Sequence, residues 1–224
     1  MKLIIQIPCF NEEQTLPQTV ADFPSKIEGI ETIEYMIIDD GSTDNTVEVA
    51  KQCGVHHIVS HFHNMGLAKT FQTGIEYAIS MDADIIVNTD GDNQYFGGDI
   101  EKLVQPILNG EAEIVVGDRQ TDSIHHFSLL KKRLQNLGSY VVRTLSGTNV
   151  PDTVSGFRAF SRNAAQQLNI MSSFSYTIET IIQAGNKKIS ITSVPIRTND
   201  KTRESRLFKN MPHFIARSLS TIFR

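Results

Sequence analysis

Cysteine is scarce in this chain: 224 residues hold two, Cys9 and Cys53. That excludes a disulfide scaffold, and both read as buried thiols in a reducing compartment, with no chemistry of their own. Long apolar runs are absent too, and nothing approaches the length that spans a bilayer. The chain opens directly on a strand, Leu3-Ile4-Ile5-Gln6-Ile7. It shows no basic segment, apolar segment and cleavage site in order, so no signal peptide is expected. Neither sign of charge dominates. Against 25 Asp and Glu stand 21 Lys and Arg, and a net charge of −4 gives no reason to expect nucleic acid as a partner. Repeats and low-complexity linkers are also missing. What remains is ordinary for a globular protein, 40% hydrophobic and 21% charged, and the length suits one α/β domain with a C-terminal extension.

Strand and helix patterns alternate through the first half. Strands are expected at Leu3–Pro8, Tyr35–Asp39, His56–Ser60, Asp84–Thr89 and Glu113–Gly117. Helices are expected at Asn11–Phe23, with Glu12 and Glu13 in its first turn, at Thr43–Cys53, through Ala68, Phe71, Ile75 and Ala78, and at Ile100–Leu108. Later come a long helix over Leu129–Leu145, a strand over Gly156–Ser161, a helix over Ser175–Ala184 that stops at Gly185, and a strand over Lys188–Ile196. The alternation calls for a mostly parallel sheet with helices on both faces.

Ligands of such sheets bind at the carboxyl ends of the strands, and acidic motifs fall there. Asp39-Asp40-Gly41-Ser42-Thr43-Asp44 follows one buried run. Gly41 suits a positive φ, and Ser42 or Thr43 suits a helix cap. Two successive carboxylates are not explained by a turn, because like charges repel unless a ligand or cation uses them. Asp90-Gly91-Asp92-Asn93-Gln94 follows another buried run and offers hard oxygens suited to Mg²⁺ or Mn²⁺ shared with substrate phosphates. Pro8 would end the first strand, with Asn11 as a helix cap. A second reading of that segment sets Pro8 and Glu12 against a nucleotide. Lys69 follows Asn64-Met65-Gly66 near a helix start, where an anion such as a diphosphate binds. Asp152-Thr153-Val154-Ser155-Gly156-Phe157-Arg158 puts a carboxylate ahead of a strand, able to orient an acceptor or take its proton. Arg203 and Arg206 lie in a basic stretch, solvated or phosphate-binding.

Taken together, and in this order, these motifs resemble the family 2 glycosyltransferases of GT-A fold, in the branch of dolichol-phosphate mannosyltransferases and polyprenyl-phosphate glycosyltransferases. The likeness runs from Ile7-Pro8 to about Phe208 and includes Asn64-x-Gly66 and Gly117-Asp118-Arg119. It implies a single GT-A domain over 1–206, a Rossmann-like α/β fold. It implies that Pro8, Asn11, Glu12, Asp39, Asp40, Gly41, Lys69, Asp90 and Gly91 line the nucleotide site. Asp90, Asp92 and Gln94 would hold the divalent cation. Asp152, Asp92 and Arg203 would carry the chemistry, with Arg119, Ser155, Arg203 and Arg206 toward a phosphate or the acceptor. One departure is visible. Many relatives have His-Pro-Pro after the Gln, where Tyr95-Phe96-Gly97 stands here, which implies a differently shaped acceptor-side loop.

The expected reaction is an inverting, metal-dependent transfer of a sugar from a UDP- or GDP-linked donor to a polyprenyl or dolichyl phosphate. A sugar hydroxyl in cell-surface polysaccharide is the alternative acceptor, and a non-catalytic nucleotide-sugar binding module is the alternative of another class. A nucleotidyltransferase is disfavoured, since no glycine-rich N-terminal loop with an Arg is present. Residues 207–224 set Leu207, Met211, Ile215, Leu219 and Phe223 in one stripe, and Lys209, His213 and Arg217 in another. That segment reads either as a helix packed on the domain or as one lying on an anionic membrane surface. Cytoplasmic placement, at the cytoplasmic face of a membrane, follows from the resemblance.

Overall fold

The structure, a computed structural model, describes residues 1–120, 129–172 and 175–200, with the backbone alone over 129–137. The expected stretch around Arg203 and Arg206, and the helix over 207–224, lie outside the described residues. Seven strands form one sheet: β1 (Lys2–Cys9), β2 (Thr32–Asp39), β3 (His57–Ser60), β4 (Ile85–Asn88), β5 (Ile114–Asp118), β6 (Arg158–Ser161) and β7 (Ile191–Pro195). The helices are α1 (Leu16–Ala21), α2 (Thr46–Gln52), α3 (Leu67–Ser80), α4 (Ile100–Leu108), α5 (Leu129–Ser146), α6 (Arg162–Gln167) and α7 (Tyr176–Asn186). Among the described residues no helix is long and apolar enough to cross a membrane.

Strand order is β3-β2-β1-β4-β6-β5-β7. All neighbours pair in parallel except β6, which runs antiparallel to both β4 and β5. Alternate residues of the strands feed two cores, as expected where helices cover both faces. Ile4, Met36, Ile38, Ile86, Val116 and Phe160 pack with Phe71 and Ile75 of α3 and Tyr176 and Ile181 of α7. Leu3, Ile5, Ile7, Ile37, Val87 and Ala159 pack on the other face with Leu16 and Val20 of α1, Ala50 of α2 and Leu103 of α4.

Several expectations need correction. The first helix starts at Leu16, not Asn11, and its first turn carries no acid. Residues 10–15 instead form a loop in which Asn11 takes φ 57. Helix α2 starts at Thr46, and Asp44 receives its first N–H, at 3.0 Å to the Thr46 nitrogen, so neither Ser42 nor Thr43 is the cap. Helix α7 runs past Gly185, where a Cβ would overlap the Ser146 carbonyl oxygen at the end of α5. That glycine serves close helix contact rather than termination. The last strand begins at Ile191, because Lys188 turns the chain with φ 56. The short helix α6, capped by Ser161, was not expected.

Candidate active site

The site gathers at the carboxyl edge of the parallel strands. Register places Cys9 beside Asp39, Asp39 beside Ser60, and Asn88 beside both Gln6 and Arg158. Because β6 is antiparallel, its first residue lies at that same edge. The loop from Asp152 to Phe157 therefore meets the segments that follow β4 and β5.

Loops 10–15 and 40–46 are laced together. The Asn11 N–H donates to Ser42 Oγ (2.9 Å), and the Thr43 N–H donates back to Asn11 Oδ1 (2.8 Å). The Glu12 N–H donates to Thr46 Oγ1 (2.8 Å), and Asn45 donates from N and Nδ2 to Glu13 Oε2 (2.9 and 3.0 Å). Gly41 takes φ 73, and a Cβ there would sit 2.7 Å from the His63 carbonyl carbon, so the β3–α3 loop closes onto this turn only because residue 41 is glycine.

Asp39 and Asp40 part company here. Asp39, 4% exposed at the end of β2, accepts from the Ser42 N–H at 3.2 Å and stays at the strand end beside Cys9. Asp40, also expected at the nucleotide, anchors the β3–α3 loop. Its carboxylate lies 2.8 Å from His61 Nδ1 and accepts from the N–H groups of Met65 and Gly66, both at 2.8 Å. The apparent repulsion of two neighbouring carboxylates disappears because consecutive residues at a strand end point to opposite sides. Lys69 stands exposed in the first turn of α3.

The Asp90-Gly91-Asp92 turn is held from below. The Gly91 carbonyl receives the hydroxyls of Thr15 (2.7 Å) and Thr19 (3.2 Å), and Thr15 Oγ1 also lies 2.9 Å from Glu12 Oε2. A side chain at Gly91 would meet Cys9 Sγ and Glu12 Cγ, each at 3.2 Å. Asp92, 9% exposed, accepts from the Gln94 N–H at 3.2 Å, so Gln94 takes part through its backbone. Cys9 reports the local field. Burial first, then the charges of Glu12, Asp39, Asp44 and Asp90, hold its thiol well above the ordinary range. Among the described residues no group of three or more His, Cys, Asp and Glu surrounds one point as a metal cage would. Two carboxylates separated by one glycine still fit a cation that takes its other oxygens from a diphosphate.

On the opposite wall Asp152 and Arg119 form a bidentate pair, Nε to Oδ2 at 2.7 Å and Nη2 to Oδ1 at 2.9 Å. Burial pushes the Asp152 carboxyl up, but the Arg119 charge and hydrogen bonds outweigh it and hold the group below the usual carboxylate range. Burial acts to lower Arg119, and Asp152 more than reverses that, with Asp90 adding to it. Ser155, expected toward the acceptor, is fully buried, and its hydroxyl has no hydrogen-bond partner among the described residues.

One residue passed over in the sequence organises this wall. Arg158 is fully buried and donates to the carbonyls of Ser155 (2.8 Å), Thr153 (2.9 Å) and Thr177 (2.7 Å), and to Thr180 Oγ1 (2.6 Å). Burial, the leading effect, lowers its ionisation to about 10, still a cation at neutral pH. The cue was its place directly after Ser-Gly-Phe, where a strand entering the sheet centre has no room for a solvated charge. Beyond β7, Arg197 pairs with the fully buried Asp99 (Nη2 to Oδ1, 2.6 Å) and stacks 4.0 Å above Phe96. Asn199 then donates to the carbonyls of Asn93 (3.0 Å) and Gln94 (2.9 Å).

Acidic loops gather at the carboxyl ends of β1, β2 and β4, where the strand order turns from β1 to β4, which is where open α/β sheets bind their ligands. The comparisons narrow the class. The model of glycosyl transferase family 2 matches residues 4–168, and the chain belongs to that family. It is 32% identical over 213 residues to the UDP-N-acetylglucosamine–dolichyl-phosphate N-acetylglucosaminyltransferase of Methanococcus voltae, covering 86% of this chain and 83% of that one. An uncharacterised protein of Methanocaldococcus jannaschii is 34% identical over 202 residues, covering 88% and 81%. The polyprenol monophosphomannose synthase of Mycolicibacterium smegmatis is 20% identical over 211 residues, covering 89% and 78%. Among solved structures, glucosyl-3-phosphoglycerate synthase from Mycobacterium tuberculosis, in complex with Mn²⁺, UDP and glucosyl-3-phosphoglycerate, aligns at a TM-score of 0.73 with 20% identity, over 99% of this chain and 77% of that one. That likeness establishes the GT-A fold. The chain is thus a glycosyltransferase resembling the enzymes that act on polyprenyl phosphates.

Proposed function

We propose that the chain moves a sugar, with inversion, from a UDP- or GDP-linked donor to a polyprenyl or dolichyl phosphate, using Mg²⁺ or Mn²⁺. The observation that carries the choice of acceptor is the Arg119–Asp152 pair. A carboxylate gripped by two guanidinium hydrogen bonds, with its ionisation depressed, is a poor base toward a sugar hydroxyl. A phosphate monoester arrives already ionised and needs no base, only orientation and a cation nearby, which Arg119 supplies. The name of the Methanococcus voltae relative supports the same acceptor class.

The residues take the following parts. Pro8, Asn11, Glu12 and Asp39 line the nucleotide, with Asp39 held by the 40–46 turn. Asp90 and Asp92 would hold the cation, which when bound neutralises charge on the departing diphosphate. Asp152 fixes Arg119 toward the acceptor phosphate, which attacks the anomeric carbon from the face opposite the diphosphate. Arg203 is proposed at the diphosphate as well. Asn199, four residues earlier in the sequence, is fixed to Asn93 and Gln94. Arg206 is proposed near a lipid phosphate, and residues 207–224 on the cytoplasmic face of the membrane.

The test pairs donors with acceptors. A thermal-shift panel of UDP-, GDP- and dTDP-sugars with Mg²⁺ or Mn²⁺ selects the donor. Transfer to extracted polyprenyl phosphate is then compared with transfer to oligosaccharides. Label appearing in the lipid fraction alone is expected, and label in the oligosaccharides alone would refute the phosphate acceptor.

A further inference from the structure

Tyr95 is buried, and its ring stacks on Phe157 with centroids 5.1 Å apart and planes at 20°. Its hydroxyl oxygen accepts from the Gly156 N–H at 2.9 Å. The carbonyl of the same glycine accepts from Asn88 Nδ2 (3.0 Å) and Tyr176 Oη (3.1 Å), and Asn88 is in turn fixed by Gln6 Nε2 at 2.9 Å. Gly156 is therefore gripped at both its polar groups. Asp90 rests against it, for a Cβ there would sit 3.2 and 3.3 Å from the two Asp90 carboxylate oxygens and 3.0 Å from Tyr176 Oη. Tyr95 belongs to the turn that follows Asp92, and its backbone bridges Thr198. One side chain thus joins the Asp90–Asp92 turn to the loop that carries Asp152. Burial, the leading effect, pushes the phenol up to about 12, and the charges of Arg119, Asp90 and Asp152 all reach it, so the group sits between the two walls as a neutral hydroxyl.

We propose that Tyr95 is a positioning residue that, by holding Gly156, sets the Asp90 carboxylate for the cation and keeps it in register with the Asp152–Arg119 pair. The proposal rests on Asp90 and Asp92 as cation ligands. Tyr95→Phe removes the hydroxyl and leaves the ring stack. Gly156→Ala leaves the tyrosine and places a methyl against Asp90. For each, transfer is measured across a Mn²⁺ titration, and UDP binding is measured calorimetrically in EDTA. The half-saturating Mn²⁺ concentration is expected to rise about tenfold in both, the scale of one lost buried hydrogen bond, with UDP affinity in EDTA unchanged. Phe160→Leu, a core change at the Phe71 contact, controls for stability. It is expected to lower the melting temperature and leave the Mn²⁺ requirement alone. An unchanged requirement in Tyr95→Phe and Gly156→Ala, or an equal rise in Phe160→Leu, overturns the positioning role while a metal-dependent wild type keeps the cation reading. Wild-type transfer indifferent to EDTA overturns the cation reading and the positioning role with it.

Discussion

Asp39 and Asp40 are adjacent, equally buried at 4% exposure, and differ in what holds them. Asp40 is enclosed by His61 and two backbone N–H groups, whereas Asp39, among the described residues, accepts from the Ser42 N–H of the turn. Asp39→Ala should weaken UDP binding by about tenfold even in EDTA, roughly 1.4 kcal/mol, while Asp92→Ala should leave that value unchanged and abolish the response to Mn²⁺. Titration calorimetry with and without metal separates the two. Asp152 makes a pH prediction. Its carboxyl ionises at lower pH in the fold than in an unfolded chain. Pairing with Arg119 therefore stabilises the fold in full above the ordinary carboxylate range, about pH 4, and that contribution is lost as pH falls through the lower folded value. Asp152→Asn breaks a buried pair and should cost about 3–5 kcal/mol at pH 7. Its melting deficit relative to wild type should narrow between pH 7 and pH 3.

At the scale of elements, the strands were legible because buried runs such as Tyr35–Asp39 and Ile85–Val87 have few other uses. The loops were less so. Asn11 looked like a helix cap by type, yet it bonds across to Thr43, 32 residues away, and no local pattern encodes such a partner. Asp90-Gly91-Asp92 was readable as a motif, whereas its support by Thr15 and Thr19 needed the packing of α1. Arg158 shows the same limit. In sequence it reads as a strand residue without a partner, whereas in the fold it ties the Asp152 loop to α7 through Thr153, Thr177 and Thr180. Arg158→Lys cannot reproduce the planar fork and leaves carbonyls of Thr153, Ser155 or Thr177 unpaired. It should destabilise the protein by about 3 kcal/mol or more, read by urea denaturation.

Across the whole molecule, one continuous sheet carries both walls of the site, so unfolding should follow a single transition by circular dichroism and by tyrosine fluorescence. UDP with Mn²⁺ at a hundredfold excess over its dissociation constant should stabilise the fold by about 2.7 kcal/mol and raise the melting temperature by about 5–10 °C. Two resolved transitions would contradict that unity. The antiparallel β6 has a further bearing, on the order of assembly. In the chain β5 precedes β6, yet in the sheet β6 lies between β4 and β5. The strand that joins β4 to β5 is thus made after both of them. Until β6 docks, the Asp90 turn has no Gly156 against which to rest, and the Asp152 loop has no anchor at the sheet edge. A nascent or partly unfolded chain therefore has no assembled transfer site to offer an activated sugar, and competence appears only when the sheet is closed.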